Sequence, residues 1–180
     1  MNTNPTTLIG KASTAQDSAA HRVLLIGIGN EFRRDDAVGI LMARRIKERN
    51  LLHVRVLEES GEGTRVMDLW KDAAAVIIVD ATSTNGIPGA IRRIDLLTRS
   101  IPKNMTLFTT HAFGVVQAVE LARGLKSLPA KMILFGIEGN DFSPGLGLSP
   151  ELSTAMSGLE DLLADELTSL VQSAKSDKQN

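Results

Sequence analysis

VLLIGIG at residues 23–29 and AAVIIVD at residues 74–80 decide the fold. Neither stretch alternates apolar with polar side chains. A strand with one face in water repeats with period two, so these two read as strands covered on both faces, as in a sheet lying between helices. With 23–28 and 75–79 as the first and third strands, shorter β-type runs at 54–57, 90–94 and 132–135 bring the expected number to five. Helical patterns fill the intervals. Residues 36–49 set Ile40, Leu41, Arg44 and Arg45 in amphipathic order, and 64–71 carry Val66, Met67 and Trp70. Val115, Val116, Val119 and Ala122 mark 112–125, while 150–171 place Leu152, Met156, Leu159, Leu163, Leu167 and Leu170 at helical steps. Ser149-Pro150 supplies a capping hydroxyl and a proline at the first helical position.

Strand and helix in alternation predict an α/β three-layer sandwich with a mostly parallel sheet and helices on both faces. One interval is too short for a parallel crossover. Only residues 81–89, with Asn85-Gly86 as turn chemistry, part the third strand from the fourth. The fourth is therefore expected antiparallel, at an edge.

Composition narrows the class. The 180 residues suffice for one domain with a full core, and 43% apolar with 23% charged residues is ordinary for a globular chain. A net charge of −1 offers no basic field for nucleic acid or an anionic membrane. No apolar run has the length of a membrane span. The absence of cysteine removes disulfides, thiolate metal sites and cysteine nucleophiles, and is compatible with the cytoplasm, where the chain is expected. The reading is one domain over 21–172, between a disordered polar leader (1–20) and a disordered tail (173–180).

In open parallel sheets, ligands bind beyond the carboxyl ends of the strands. Strand one runs into Asn30-Glu31-Phe32-Arg33-Arg34-Asp35-Asp36, strand three delivers Asp80, and Thr109-Thr110-His111 precedes a helix. His21 and His53 precede strands and belong to the opposite end. Asp36, Asp80 and His111 thus form the candidate metal-binding and catalytic set. Two carboxylates and an imidazole suit a zinc- or nickel-like ion and leave a coordination position open for water or substrate. Such an ion polarises a carbonyl or acidifies bound water. Each residue also has a structural alternative. Asp35 and Asp36 can cap the following helix, Thr110 can do the same, and a lone histidine is more often simply hydrogen-bonded. Asp80 is the hardest to explain structurally, because a carboxylate closing an apolar strand is unfavourable unless paired or bound.

Gly27-Ile28-Gly29 suggests a dinucleotide turn, but Phe32 stands where its third glycine belongs. No Walker loop, His-Glu-x-x-His or Gly-x-Ser-x-Gly is present; Ser60 and Ser83 remain as hydroxyls that a histidine can activate. The acidic, glycine-rich segment 59–64 reads as a flexible loop facing substrate.

At these residues the chain resembles the [NiFe]-hydrogenase maturation endopeptidases, over roughly residues 23–170. The shared features are Gly27-Ile28-Gly29-Asn30 with Phe32 and Asp35-Asp36-Ala37-Val38-Gly39, then Val79-Asp80-Ala81-Thr82, Thr110-His111, Gly136-Ile137-Glu138, and Leu148-Ser149-Pro150. The resemblance implies a central twisted five-stranded sheet. It also implies removal of the carboxyl-terminal extension of a hydrogenase large-subunit precursor after nickel insertion. Asp36, Asp80 and His111 correspond to the family's two acids and histidine. Nickel is then expected to arrive with the precursor, with zinc or cadmium able to occupy the same site, and the free protease is expected to be a monomer. Asp35 and Asn30 are expected to orient the metal-binding side chains. A chaperone-like checkpoint that binds the nickel-loaded subunit without cutting it is the alternative.

Overall fold

The computed structural model describes residues 23–107 and 112–176. Its strands are β1 (Val23–Ile28), β2 (Val54–Glu59), β3 (Ala75–Ser83), β4 (Ile91–Asp95), β5 (Thr106–Leu107) and β6 (Lys131–Glu138). Its helices are α1 (Val38–Glu48), α2 (Gly63–Trp70), α3 (Val115–Gly124) and α4 (Pro150–Ser176). The sheet runs β2-β1-β3-β6-β4, with β5 paired off this path to the end of β3. β1, β2, β3 and β6 are parallel, and β4 lies antiparallel on β6 at the edge. The five strands of the path are those expected; the two-residue β5, antiparallel to Thr82–Ser83, is a sixth.

The unbroken apolar runs have the expected cause. Leu25, Ile77, Val79 and Phe135 face Val38 and Met42 of α1 and Leu152, Met156 and Leu159 of α4. The alternate residues Leu24, Ile26, Val76, Ile78 and Leu134 face Val66 and Trp70 of α2 and Val115, Ala118 and Val119 of α3. Both faces of β1 are therefore closed to water.

Helix starts differ from the sequence reading, each for a local reason. Residues Arg34–Ala37 form a 3-10 turn before α1, because the Asp36 amide bonds back to the Arg33 carbonyl and the Asp35 amide goes to the Asp141 carbonyl. α3 begins at Val115, not at 112. Upstream of it, the Phe113 carbonyl accepts from the Gly63 amide and the Gly114 amide donates to the Gln117 side chain. Thr110, proposed as its cap, lies outside the described residues. The supposed flexible segment 59–64 is largely ordered: Glu59 closes β2 and Gly63 opens α2. The Glu62 carboxylate caps that helix by accepting from the Thr64 and Arg65 amides. α4 continues to Ser176, into the stretch expected as tail, while 1–22 and 177–180 lie outside the described residues.

Strand order fixes where a site can form. From β1 the chain moves outward to β2, then returns to β3 on the other side of β1. The connections leaving β1 and β3 diverge there, which is the switch point where open α/β sheets form their crevice. β1 leaves its ladder with β3 at the pair Gly27–Val79, so Asp80 is the first residue of β3 that β1 no longer covers. α1 comes down directly on this point. A Cβ on Gly27 would sit 2.1 Å from the Gly39 carbonyl oxygen. One on Gly39 would sit 2.2 Å from the Ile28 oxygen and 2.3 Å from the Val79 oxygen. Backbone cannot yield there as the end of a side chain can. Gly39→Ala is thus expected to destabilise the fold by at least the about 1–3 kcal/mol typical of overpacking. A thermal melt would register about 2–4 °C per kcal/mol for a chain of this size.

Candidate functional site

The turn from β1 to α1 is held from several sides. Gly29 has φ +148° and passes so close to the Asp36 carbonyl that no side chain fits there. Its amide donates to the Glu59 carbonyl at 3.1 Å. The Asn30 side chain accepts from the Phe32 amide at 3.0 Å. Arg34, in the left-handed region at φ 46°, donates its amide to the Gly145 carbonyl, and the Gly145 amide donates to the Phe32 carbonyl. A non-glycine residue in that conformation is strained and persists only where its surroundings enforce it.

Four carboxylates are buried at or near this rim: Asp35, Asp36, Asp80 and Glu138. They divide into two kinds. Asp35 accepts from the Asn140 and Asp141 amides at 2.8 and 2.9 Å and from the Ser149 amide at 2.7 Å. It caps neither the 3-10 turn nor α1; it fastens the 139–149 connection to the β1–α1 turn. Glu138 accepts from the Thr84 and Gly86 amides at 2.6 and 2.8 Å and from the Thr84 hydroxyl at 2.9 Å. These bonds hold its carboxyl below the usual range against the opposing effect of burial, and pin the β3–β4 turn.

Asp36 and Asp80 have no such set. Asp36 is 2% exposed and Asp80 0%. Asp36 Oδ1 and both carboxylate oxygens of Asp80 are buried without a hydrogen-bond partner. Burial pushes Asp36 up to about 6, with the nearby Arg33 charge opposing. Asp80 is driven well above the carboxylate range, first by burial and then by the charge of Asp36. The Ala81 amide opposes both. Asp36 does not cap α1 either. The structure thus brings Asp36 and Asp80 together electrostatically at the switch point. His111 and His21 lie outside the described residues, while His53 immediately precedes β2, at the opposite end. Among the described residues no three His, Cys, Asp or Glu side chains converge as a metal set. Two buried acids with unpartnered oxygens nonetheless suit a cation, which would supply what each lacks.

The sequence reading gave Asp35 a supporting role but not its partners on the 139–149 connection, and it missed the role of Glu138. Glu138 gave the same signal as Asp80, an acid at the end of an apolar run, but its donors come from a turn more than 50 positions away.

The family described as hydrogenase maturation protease matches residues 37–166. The chain belongs to the hydrogenase maturation protease family. Among curated relatives, the hydrogenase 2 maturation protease of Escherichia coli K12 is 26% identical over 148 residues, covering 79% of this chain and 89% of that protein. Among solved structures, the HybD hydrogenase maturating endopeptidase of E. coli superposes with TM-score 0.66 at 19% identity, over 82% of this chain and 93% of that one. The [NiFe] hydrogenase maturation protease HycI of Thermococcus kodakarensis gives TM-score 0.62 at 25% identity, over 84% and 95%. The fold described above, a mostly parallel sheet with an antiparallel pair, is the fold of these proteases, and the family is one of hydrolases. Among the described residues no helix is long and apolar enough to cross a membrane.

The unpaired acids have a pH signature. Well below the ordinary aspartate value of 3.8 the carboxyls are protonated in folded and unfolded chain alike and cost nothing. As pH rises toward and past 6 the unfolded chain ionises first, so stability falls through the window set by Asp36 and further for Asp80. In metal-free protein, Asp80→Asn should match the parent melting temperature near pH 3.5 and exceed it by several degrees at about pH 7.5. A lower value for the variant at neutral pH would reveal a stabilising partner for the carboxylate.

Proposed function

We propose that this protease removes the carboxyl-terminal extension from a [NiFe]-hydrogenase large-subunit precursor once nickel has been inserted. Asp36, Asp80 and His111 would recognise the nickel that the precursor carries. The observation that carries the reading is the pair of buried acids with three unpartnered oxygens at the sheet's switch point. The fold leaves such a pair uncompensated, and a substrate-borne cation compensates it.

His111 joins the set on the strength of its flanks. Leu107, four positions before it, pairs with Thr82, two residues beyond Asp80. α3, shortly after it, packs on the sheet face carrying Val76 and Ile78, to which strand alternation also assigns Asp80. Nickel in this reading is part of the substrate; zinc or cadmium would substitute for it in a binding experiment. Asp35 serves the acids indirectly, by fixing the turn on which Asp36 stands.

The chemistry assigned to the chain is general acid–base work beside a polarised carbonyl. Asp36, raised to about 6, is poised to exchange a proton near neutral pH. Burial and the neighbouring Asp36 charge favour the protonated form of Asp80, and a bound cation favours the ionised form, so recognition promotes release of a proton. In the bound state either carboxylate can take the proton of the attacking water and pass it to the leaving amine. The reading has the protease acting as a monomer in the cytoplasm.

Mass spectrometry of a co-expressed nickel-loaded precursor tests this directly. The parent protein should shorten the precursor, and Asp80→Asn and His111→Ala should each slow cleavage on the order of 10²–10⁴-fold. Full activity in both variants would remove the acid–histidine site. An unchanged precursor mass with the parent, despite stable binding, would make the protein a checkpoint that holds the nickel-loaded subunit without cutting it.

A further inference from the structure

Asp36 is one of the residues lining a groove of about 360 Å³, and the acid–base chemistry leaves the rest of that lining unused. One wall is the β1–α1 turn, with Asn30 and Phe32. The other is the carboxyl end of the edge strand β2, with Glu58, and the base includes Ile40 and Arg44. We propose that this groove seats the leaving tail of the precursor, in extended form, with an apolar side chain of that tail against Phe32. The inference rests on the protease reading above and adds to it which side of the acid pair takes the tail, and what selects it.

Three observations support it. The first is Phe32 itself. An aromatic ring 65% exposed is unusual on a segment this firmly held. The Phe32 amide donates to Asn30, and its carbonyl accepts from the Gly145 amide at 2.8 Å. Backbone order combined with an outward ring describes a contact surface that needs no rearrangement before binding. The second is charge. Arg44 bridges Glu31 and Glu58 at 3.1 and 2.9 Å, and Arg65 pairs with Glu59 at 3.2 Å. Glu31, Arg44 and Glu58 together keep one net negative charge, which disfavours an acidic side chain, while Phe32 and Ile40 supply the groove's apolar contacts. The third is shape. The groove is a channel between a turn and a strand end, of a volume that suits a few residues of extended chain and not a folded body.

The test compares parent, Phe32→Ala and Phe32→Arg proteins on two nickel-loaded precursors. One carries its natural extension; the other has an aspartate at the first extension residues. In parallel, a fluorescein-labelled peptide of the natural extension is titrated against each protein by fluorescence polarisation. The parent is expected to cut the natural precursor on the order of tenfold more efficiently than the aspartate form, the scale of one buried apolar contact. Phe32→Ala should raise KM for the natural precursor by a similar factor with kcat little changed, and weaken the peptide. Phe32→Arg should reverse the preference, an outcome that a purely structural role for Phe32 does not produce. Equal cleavage of both precursors by all three proteins, with equal peptide binding, overturns the groove assignment and leaves the protease reading standing. Peptide binding that depends on Phe32, without any cleavage by the parent, keeps the groove and overturns the protease reading. No cleavage and no peptide binding by the parent overturns both.

Discussion

α1 meets β1 and β3 with backbone against backbone, and this contact sets the geometry of the whole rim. Gly27 and Gly39 are the residues that allow it: at each, a single added carbon would overlap a carbonyl oxygen or a packed methyl. Because α1 begins at the very end of β1's ladder, the turn between them has to be short and bent, and Gly29 with the 3-10 turn Arg34–Ala37 makes the bend. Asp36 is carried into the gap that β1 leaves beside β3, and Asp80 is already there. The proximity of the acids is thus a packing consequence of two glycines, with no attraction between the acids to maintain it.

That proximity is unfavourable for the apo chain. Burial opposes ionisation of both carboxylates, and the charge of Asp36 opposes it further for Asp80. The fold tolerates the arrangement because its neighbours over-determine it. Asp35 ties the same turn to the 139–149 connection through three amides, and Glu138 ties the β3–β4 turn to β6 through two. Each of those carboxylates is buried with its donors in place, which is the favourable way to bury an acid. Two satisfied carboxylates stabilise the rim and two unsatisfied ones sit between them, so rigidity and chemical reactivity are assigned to different residues.

Much of this was legible in the sequence. The continuous apolar runs at β1 and β3 identified strands buried on both faces, the short interval 81–89 between the third and fourth apolar runs required an antiparallel edge, and Ser149-Pro150 marked the start of α4. Asp36 and Asp80 followed from the rule for carboxyl ends. The remainder depended on partners far away in the chain. β5 is two residues long and exists because it pairs with the end of β3, so it has no periodicity of its own. Asp35 looks like a helix cap because its pattern is that of a cap; its donors at Asn140, Asp141 and Ser149 lie over a hundred positions downstream. Glu138 and Asp80 are equivalent as sequence, and only the structure shows which has its hydrogen bonds. His111 was chosen by elimination among three histidines, and its place is still carried by its flanks alone.

The contrast between the paired and unpaired acids bears on how a maturation protease avoids cutting prematurely. On the proposed reading, a precursor without nickel offers the acid pair nothing that offsets burial, which disfavours the charged form of Asp80. A precursor with nickel would shift the protonation of the pair on arrival, and the same desolvation that makes the buried acids unfavourable would strengthen the attraction to the cation. Selectivity for the metal-loaded precursor then needs no separate sensor. It follows from leaving two buried carboxylates without donors while supplying Asp35 and Glu138, their neighbours at the same rim, with several each.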